Sequence, residues 1–273
     1  MSLFQSSQTK NENNLNSSAH QDTVSDESVD QQSKKELNEK SIVLSTDDLS
    51  RRFANETKPV FSNVEFEVHD GECVAILGLS GAGKTTLFNV LAGLDQPDTG
   101  QIQLEKQLGY MFQKDLLMPW KRVIDNVSLP LVLKGVNKKT AHKEAKQHFP
   151  AFGLSGLEQR YPNEISGGER RRASLLRTYL TGSEILLLDE PFTGVDAVTR
   201  VDLQEWLRNL VNTKNLTLVL ITHDLDEAIR LADRIYVLQI GTPSQLSESI
   251  EVNSASKKTI FTRLMDLLYK KID

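Results

Sequence analysis

The sequence predicts an α/β domain with an open, mostly parallel sheet, and two observations support this. Continuously apolar runs of strand length recur along the chain, as expected of strands that are covered on both faces. They are ECVAILGL from Glu72, EILLLDE from Glu184, LTLVLIT from Leu216 and RIYVLQ from Arg234. Helical patterns separate them, at residues 85–91, 166–180, 197–212 and 225–231. Strands that alternate with helices indicate a parallel sheet.

Two other parts of the chain have different patterns. VFSNVEFEV alternates at Val64, Phe66 and Val68, which predicts a strand with one buried face before a turn at Asp70-Gly71. Between Gln113 and Glu184 no strand pattern occurs. Helical patterns occupy this part of the chain, at residues 129–134, 138–152 and 166–180. We therefore expect a helical subdomain at about residues 114–184, inserted into an α/β domain of residues 41–250.

The two ends of the chain differ from the middle. Residues 1–40 are rich in polar and charged side chains, so they are predicted to be a disordered tail. The segment 251–273 is predicted to contain an amphipathic helix that packs on its own domain rather than on a membrane. Its apolar face is expected to consist of Ile260, Phe261, Leu264, Leu267 and Leu268.

Composition restricts the class of protein. Of the 273 residues, 38% are hydrophobic and 25% are charged, as in soluble globular proteins. The net charge of −5 argues against nucleic-acid binding, which needs a basic face. The single cysteine, Cys73, lies in an apolar run, so we expect a small core residue and a reducing cytoplasm. No apolar run approaches the ~20 residues that span a bilayer, so membrane association is expected through a partner.

A glycine-rich segment, LGLSGAGKTTL, follows a predicted strand and precedes a predicted helix. It matches the phosphate-loop pattern through Gly78, Gly83, Lys84 and Thr85. Glycines let successive backbone N–H groups turn towards a phosphate, and the helix start adds a positive dipole end. We expect Lys84 to contact the β- and γ-phosphates and Thr85 to ligate Mg²⁺. The predicted nucleotide-binding loop contains Gly78, Leu79, Ser80, Gly81, Ala82, Gly83, Lys84, Thr85 and Thr86.

A second anion-binding pattern is ISGGE, which precedes a predicted helix and then ILLLDEP. This order of motifs resembles the ATP-binding subunits of ABC transporters, over residues 41–239. The resemblance implies a P-loop NTPase fold of the ABC ATPase type, with an N-terminal antiparallel β portion and an inserted helical subdomain. Residues Ser166, Gly167, Gly168 and Glu169 resemble the family's signature motif, with Ile165 and Glu169 in place of the commoner Leu and Gln.

The resemblance also implies a dimer. In that family two subunits pair head-to-tail, and the signature helix of one caps the ATP held by the phosphate loop of the other. A chain with two helix starts suited to phosphate is therefore expected, because the second serves the nucleotide of its partner. The partner is expected to be an identical chain.

Further residues match the family one by one. Asp189, at a predicted strand end, resembles the carboxylate that holds Mg²⁺, and Glu190 resembles the one that polarises the attacking water. His223, in LITHDLDEA, matches the switch histidine beside the γ-phosphate. Gln113, in GYMFQ, matches the loop glutamine that senses Mg²⁺ and the water.

Two assignments rest on less regular matches. Asp196 resembles the inter-subunit aspartate, although Thr193-Gly194-Val195 departs from the usual Ser-x-Leu. That departure is expected to tune communication across the dimer. Phe53 falls where the family stacks an aromatic ring on adenine, and the alternative for Phe53 is a place in the core.

An apolar cluster follows Gln113, at Leu116, Leu117, Met118 and Trp120. Two interpretations are open: packing within the helical subdomain, or a groove for a short helix of a membrane subunit. The LLMPW sequence resembles a Leu-Leu-Pro-Trp element of importers for nitrate, sulfonates, taurine and thiamine pyrimidine precursors. The short link from Gly100 to Tyr110 is also similar to that group.

These resemblances imply a function. The chain is expected to be the ATPase of an importer, binding ATP and Mg²⁺ at the cytoplasmic face of the membrane. Its expected partners are a second ATPase subunit, permease subunits and an extracytoplasmic solute-binding protein. An exporter ATPase, a soluble ABC ATPase serving ribosomes or DNA, and a non-hydrolysing regulatory subunit are the alternatives.

Overall fold

The computed structural model describes residues 41–54, 56–253 and 255–270. The expected disordered tail, residues 1–40, lies outside the described residues.

An antiparallel sheet begins the described chain. Its strands are β1 (Ile42–Arg51), β2 (Phe61–His69) and β4 (Thr99–Leu104), in the order β2-β1-β4. The alternation seen in the sequence places Val64, Phe66 and Val68 on the buried face of β2. The predicted antiparallel β portion is thus confirmed.

The main sheet is mostly parallel, as predicted. Its remaining strands are β3 (Cys73–Leu77), β5 (Leu108–Met111), β6 (Ile185–Asp189), β7 (Thr217–Thr222), β8 (Arg234–Gln239), β9 (Gln245–Leu246) and β10 (Ile250–Glu251). The strand order is β10-β8-β3-β7-β6-β5, with β9 paired to β8. Strands β8, β3, β7, β6 and β5 run parallel, whereas β9 and β10 run antiparallel to β8. Every residue of β3, β6, β7 and β8 is buried, which explains their unbroken apolar runs.

The described helices are α1 (Lys84–Leu91), α2 (Val123–Val127), α3 (Leu129–Leu133), α4 (Lys138–His148), α5 (Gly167–Tyr179), α6 (Ala197–Lys214), α7 (Leu225–Leu231) and α8 (Lys257–Tyr269). Between β5 and β6 the described residues form helices and loops without a strand. The sequence predicts one helix over 138–152, but α4 ends at His148. Pro150 explains this early end, because proline lacks the backbone N–H that would continue the helical hydrogen bonds.

The main sheet is covered on both faces. Alternate residues of β3 point to different cores, with Ala75 in one and Val74 and Ile76 in the other. The first core contains apolar side chains of α5, α6, α7 and α8. The second contains those of α1 and of the antiparallel sheet. Cys73 is buried in the first core, as expected of a small core residue, and burial raises the pKa of its thiol.

The C-terminal segment differs from its prediction in two respects. Residues Ile250–Glu251 pair with β8, and the helix starts only at Lys257, where the Ser256 hydroxyl accepts the N–H of Thr259 at 3.3 Å. Ile260, Leu264 and Leu268 are buried and Leu267 is partly buried, but Phe261 is 41% exposed. Phe261 is therefore not part of the buried face. Among the described residues, no helix combines the length and apolarity needed to cross a bilayer.

Candidate functional site

Parallel strands bring the predicted site residues to one edge of the main sheet. In the strand order β3-β7-β6-β5, the segments that follow these strands contain Lys84, at the start of α1, and then His223, Glu190 and Gln113 respectively. The carboxyl ends of parallel strands share one edge, which is where ligands bind in open α/β sheets. Residues that are far apart in the sequence therefore meet in one cleft.

The loop between β3 and α1 has the geometry of a phosphate loop. Gly83 caps α1 with a φ of 95°, and a Cβ there would lie 2.7 Å from Val60 Cγ1, so only glycine fits. The Lys84 ammonium donates hydrogen bonds to the carbonyls of Gly78 (2.8 Å) and Leu79 (3.0 Å). Burial lowers the pKa of Lys84, against the nearby negative charge of Glu190 and Asp189. The ammonium is thus held beside the loop and ready to pair with an anion.

A cavity of about 420 Å³ opens over this loop. It is lined by Phe53, Val60, Ser80, Gly81, Gly83, Lys84, Thr85, Thr86, Gln113 and Glu190. Ala82 is buried instead, in the core shared with α1. Phe53 is 43% exposed, so its alternative place in the core is wrong. Its ring lies at the cavity with the Arg51 guanidinium 5.3 Å from the ring centroid.

Glu190 lies at the centre of a polar cluster. Its Oε2 accepts hydrogen bonds from Gln113 Nε2 (3.0 Å) and Thr193 Oγ1 (2.9 Å). Its Oε1 lies 3.2 Å from His223 Nδ1 and 4.0 Å from Lys84 Nζ. Burial raises the pKa of Glu190, but the hydrogen bonds from Thr193 and His223 and the charge of Lys84 outweigh it, so the net pKa is lowered. The result is an ionised carboxylate beside the phosphate loop.

The backbone of Glu190 is also unusual. Its φ is 43°, in the left-handed region that side chains other than glycine rarely occupy. The N–H of Glu190 donates to the carbonyl of Ile221 in the neighbouring strand at 3.0 Å, which holds this conformation. Backbone strain of this kind is typical of functional sites.

Asp189 ends β6 with two unequal oxygens. Its Oδ2 accepts hydrogen bonds from Thr85 Oγ1 (3.2 Å) and the Tyr110 hydroxyl (3.2 Å). Its Oδ1 is buried without a hydrogen-bond partner. Burial raises the pKa of Asp189, although both hydroxyls oppose this. A buried carboxylate oxygen without a partner beside a threonine hydroxyl fits a hard cation.

The motifs in the sequence do not predict Tyr110 as a site residue. Tyr110 lies on β5 and pairs with Leu187 of β6, so its position beside Asp189 follows from strand register alone. Among the described residues, no group of three or more His, Cys, Asp or Glu side chains is arranged to hold a metal.

The signature residues lie outside the nucleotide cavity. Ser166 caps α5: its Oγ accepts the N–H of Glu169 (3.2 Å), and Glu169 Oε2 accepts the N–H of Ser166 (2.7 Å). This capping box leaves the hydroxyl hydrogen of Ser166 free to donate. A Cβ on Gly168 would lie 2.9 Å from Thr199 Cγ2, so a side chain is not accommodated. None of Ser166, Gly167, Gly168 and Glu169 is among the described residues that line the cavity over the phosphate loop.

A second cavity, of about 550 Å³, adjoins the signature helix. It is lined by Gln113, Lys114, Asp115, Gly167, Arg170, Arg171, Thr193, Gly194 and Val195. Asp196 follows these residues and caps α6, because its Oδ1 accepts the N–H of Thr199 at 3.1 Å. The hydrogen bonds from the backbone and side chain of Thr199 lower the pKa of Asp196.

The LLMPW loop divides between the core and the surface. Leu117 is buried in the first core, which excludes it from a contact surface for another protein. Leu116 and Trp120 are 52% and 73% exposed, and Met118 is partly buried. Helix α5 fixes the loop, because Arg177 donates a hydrogen bond to the carbonyl of Leu116 at 2.8 Å. Packing within the helical subdomain is thus confirmed for Leu117, and the groove for a helix of a membrane subunit stays a prediction for the exposed residues.

Comparison with known proteins gives the family. A family model described as ABC transporter matches residues 61–193. The chain is 45% identical over 183 residues to the formylaminopyrimidine import ATP-binding protein ThiZ of Halalkalibacterium halodurans, covering 66% of this chain and 74% of that protein. The chain belongs to the ABC transporter family. Within it, this chain is an ATP-binding subunit, an ATPase whose hydrolysis is coupled to transport.

Other ABC relatives have similar names. The aliphatic sulfonates import ATP-binding protein SsuB of Bacillus cereus is 35% identical over 241 residues, covering 85% of this chain and 94% of that protein. SsuB 2 of Rhizobium johnstonii is 40% identical over 208 residues, covering 76% and 80%. Both carry the importer name that the resemblance of LLMPW predicts.

Solved structures confirm the ABC ATPase fold. A putative metal-chelate type ABC transporter in an inward-facing conformation has a chain that superimposes with a TM-score of 0.71 at 24% identity, covering 84% of this chain and 89% of that chain. A dimeric ATP-binding cassette in a post-hydrolysis state, bound to ADP and phosphate, gives a TM-score of 0.66 at 24% identity, covering 77% and 98%.

Proposed function

We propose that this chain is the ATPase subunit of an ABC importer, which dimerises head-to-tail on ATP and drives uptake of a small solute through membrane subunits. One observation carries the proposal. Gln113, His223 and Lys84 converge on the Glu190 carboxylate at the phosphate-loop cavity, while the signature helix starts outside that cavity. A single chain therefore contains the proposed reacting groups, but its own signature helix does not cover its nucleotide cavity.

Each residue of the cluster has a proposed role in hydrolysis. The loop 78–86 and Lys84 bind the phosphates, and Phe53 stacks on the adenine. Glu190 accepts the proton of the attacking water, and Gln113 and His223 orient both the water and the carboxylate. Phosphoryl transfer needs positioning and charge stabilisation more than covalent work by the protein.

Magnesium fits the same site. Asp189 offers its unpartnered Oδ1, with the Thr85 hydroxyl and the Gln113 amide as further oxygen ligands. Bound there, Mg²⁺ would neutralise phosphate charge during transfer.

A second copy of this chain completes the site. The Ser166 hydroxyl and the N–H groups of Gly167 and Gly168 donate to the γ-phosphate of ATP held by the partner subunit. Glu169 caps the same helix start, and Asp196 contributes at the seam. The position of these residues away from the chain's own nucleotide cavity supports this arrangement. In the same proposal, residues 41–250 form the ATPase domain, with about 114–184 as its helical part.

The permease contact is proposed at Leu116, Met118 and Trp120. Exposed aromatic and apolar side chains on a braced loop are typical anchors of an interface. The subunit would then lie at the cytoplasmic face of the membrane, peripheral through the permease and alongside a solute-binding protein on the other side. The names of the relatives favour a solute of the aliphatic sulfonate or formylaminopyrimidine type.

Two variants test the catalytic assignment. Glu190→Gln is expected to bind ATP normally, to lose turnover by about 100-fold or more, and to accumulate as a dimer with ATP. Lys84→Ala is expected to lose ATP binding. Phosphate release, nucleotide titration and light scattering measure these effects. Wild-type turnover in Glu190→Gln would overturn the role of Glu190, and unchanged ATP affinity in Lys84→Ala would overturn that of the phosphate loop.

A further inference from the structure

Thr193 makes a contact that the proposed catalytic roles leave unused. It lies in the turn between Glu190 and α6 and is half-buried. Its N–H donates to the carbonyl of Glu190 at 3.2 Å, and its hydroxyl donates to Glu190 Oε2 at 2.9 Å. Both the backbone and the side chain of Thr193 therefore hold the residue proposed as the general base.

Thr193 is itself held from the signature helix. Arg171 Nη2, on α5, donates to the carbonyl of Thr193 at 2.9 Å. Arg171 belongs to the helix that Ser166 caps, and its guanidinium is half-buried. A continuous set of hydrogen bonds therefore runs from the signature helix through Thr193 to the Glu190 carboxylate.

The direction of these bonds determines which oxygen of Glu190 is available. Oε2 receives the donors Thr193 and Gln113, whereas Oε1 faces His223 Nδ1 and Lys84 Nζ. A carboxylate with two possible rotamers is fixed in one of them by a hydroxyl donor on the same turn. Fixing one oxygen leaves the other aimed at the edge where the phosphate loop lies.

We propose that Thr193 is a positioning residue, whose hydroxyl orients the Glu190 carboxylate for hydrolysis and whose carbonyl ties that orientation to the signature helix. The inference rests on the proposed role of Glu190. The hydroxyl is the operative group, so serine replaces threonine in function, whereas valine, of nearly the same shape, does not.

The test compares Thr193→Val, Thr193→Ser and Glu190→Gln with the wild-type chain. Thr193→Val is expected to lower kcat by about 10-fold or more, because a hydrogen bond to a charged group is lost. Its KM and its affinity for ATP stay within about twofold, because an interaction needed only for turnover is removed. Thr193→Ser is expected to stay within about threefold of wild-type kcat.

Controls separate positioning from folding. Thr181→Val makes the same change at the end of α5, where the hydroxyl donates to the carbonyl of Thr178, and is expected to leave kcat unchanged. Thermal unfolding checks each variant, and Thr193→Ala replaces Thr193→Val in the comparison if the valine variant does not fold.

Three outcomes are decisive. A wild-type kcat in Thr193→Val, with Glu190→Gln inactive, overturns the inference and leaves the proposed function intact. An equal loss in Thr193→Ser and Thr193→Val also overturns it, because the hydroxyl would then not be the operative group. Wild-type turnover in Glu190→Gln places the failure in the proposed function instead.

Discussion

The two carboxylate oxygens of the buried Asp189 have different surroundings. Two hydroxyls, of Thr85 and Tyr110, donate to its Oδ2, and its Oδ1 has no hydrogen-bond partner. The Tyr110 ring is itself fixed by aromatic packing. Its centroid lies 4.3 Å from that of the Phe112 ring and 5.9 Å from that of the Phe88 ring. Tyr110 therefore acts as a rigid donor that aims the carboxylate.

Removing that donor tests the magnesium assignment. Tyr110→Phe keeps the ring packing but frees the Asp189 carboxylate to rotate, so the Mg²⁺ concentration for half-maximal ATP binding is expected to rise by about 10-fold. A titration of ATP binding with Mg²⁺ measures this. Tyr179→Phe, whose ring packs 5.5 Å from Phe152, is the matched control and is expected to behave as wild type. An unchanged Mg²⁺ requirement in Tyr110→Phe would contradict the account of Asp189.

The sequence alone predicts where some residues of the candidate site lie but not others, and the difference has a physical reason. Lys84, Glu190 and His223 follow the ends of buried parallel strands, so an apolar run followed by a motif places them at one edge. The contacts of Tyr110 and Thr193 depend on side-chain direction within a strand and a turn, which no motif encodes.

At the scale of elements, the LLMPW loop depends on one buried asparagine of α2. Asn126 is fully buried, and its Oδ1 accepts the N–H of Met118 at 2.7 Å. Its Nδ2 faces the carbonyls of Met118 (3.1 Å), Lys121 (3.0 Å) and Arg122 (3.2 Å). The Asn126 side chain thus fixes the backbone of the loop that contains the exposed Trp120.

Asn126→Ala is expected to destabilise the chain by about 1–3 kcal/mol, because buried backbone groups lose their partners. Amide hydrogen exchange should accelerate at Met118 above all. The control is Asn137→Ala, which removes the cap of α4 (Asn137 Oδ1 to the N–H of Lys139, 2.9 Å) and is expected to cost about 1 kcal/mol without changing exchange at Met118. Equal exchange at Met118 in both variants would contradict the bracing role of Asn126.

The sequence predicts strands correctly where both faces of the strand are buried. The strands β3, β6, β7 and β8 are buried throughout, so their sequences are unbroken apolar runs. The sequence does not indicate β4, because Ile102 alone in Thr99–Leu104 is half-buried, the other residues are exposed, and the strand is held by pairing with β1. The short helix α2 is missed because five residues are too few for a helical period to be recognised, whereas α3 lies within the helical pattern predicted at residues 129–134.

For the whole molecule, the central proposal is a catalytic site divided between two copies of the chain. The cavity over the phosphate loop contains the reacting groups, but among the described residues the signature residues are not part of its lining. Ser166 at the start of α5 is exposed and Gly167 is half-buried, so the Ser166 hydroxyl hydrogen and this helix start are available to another molecule's phosphate. Under this proposal, each site takes residues from both chains.

Mixing two inactive variants tests this requirement most directly. Lys84→Ala lacks a working phosphate loop and Ser166→Arg lacks a working signature, so each alone is expected to be inactive. A mixed pair contains one intact site, made of the loop of one chain and the signature of the other. Random pairing makes half of the dimers mixed, with one of two sites intact, so the mixture should reach roughly one quarter of the wild-type rate of phosphate release. A rate no greater than the sum of the two separate variants would contradict a site shared between chains.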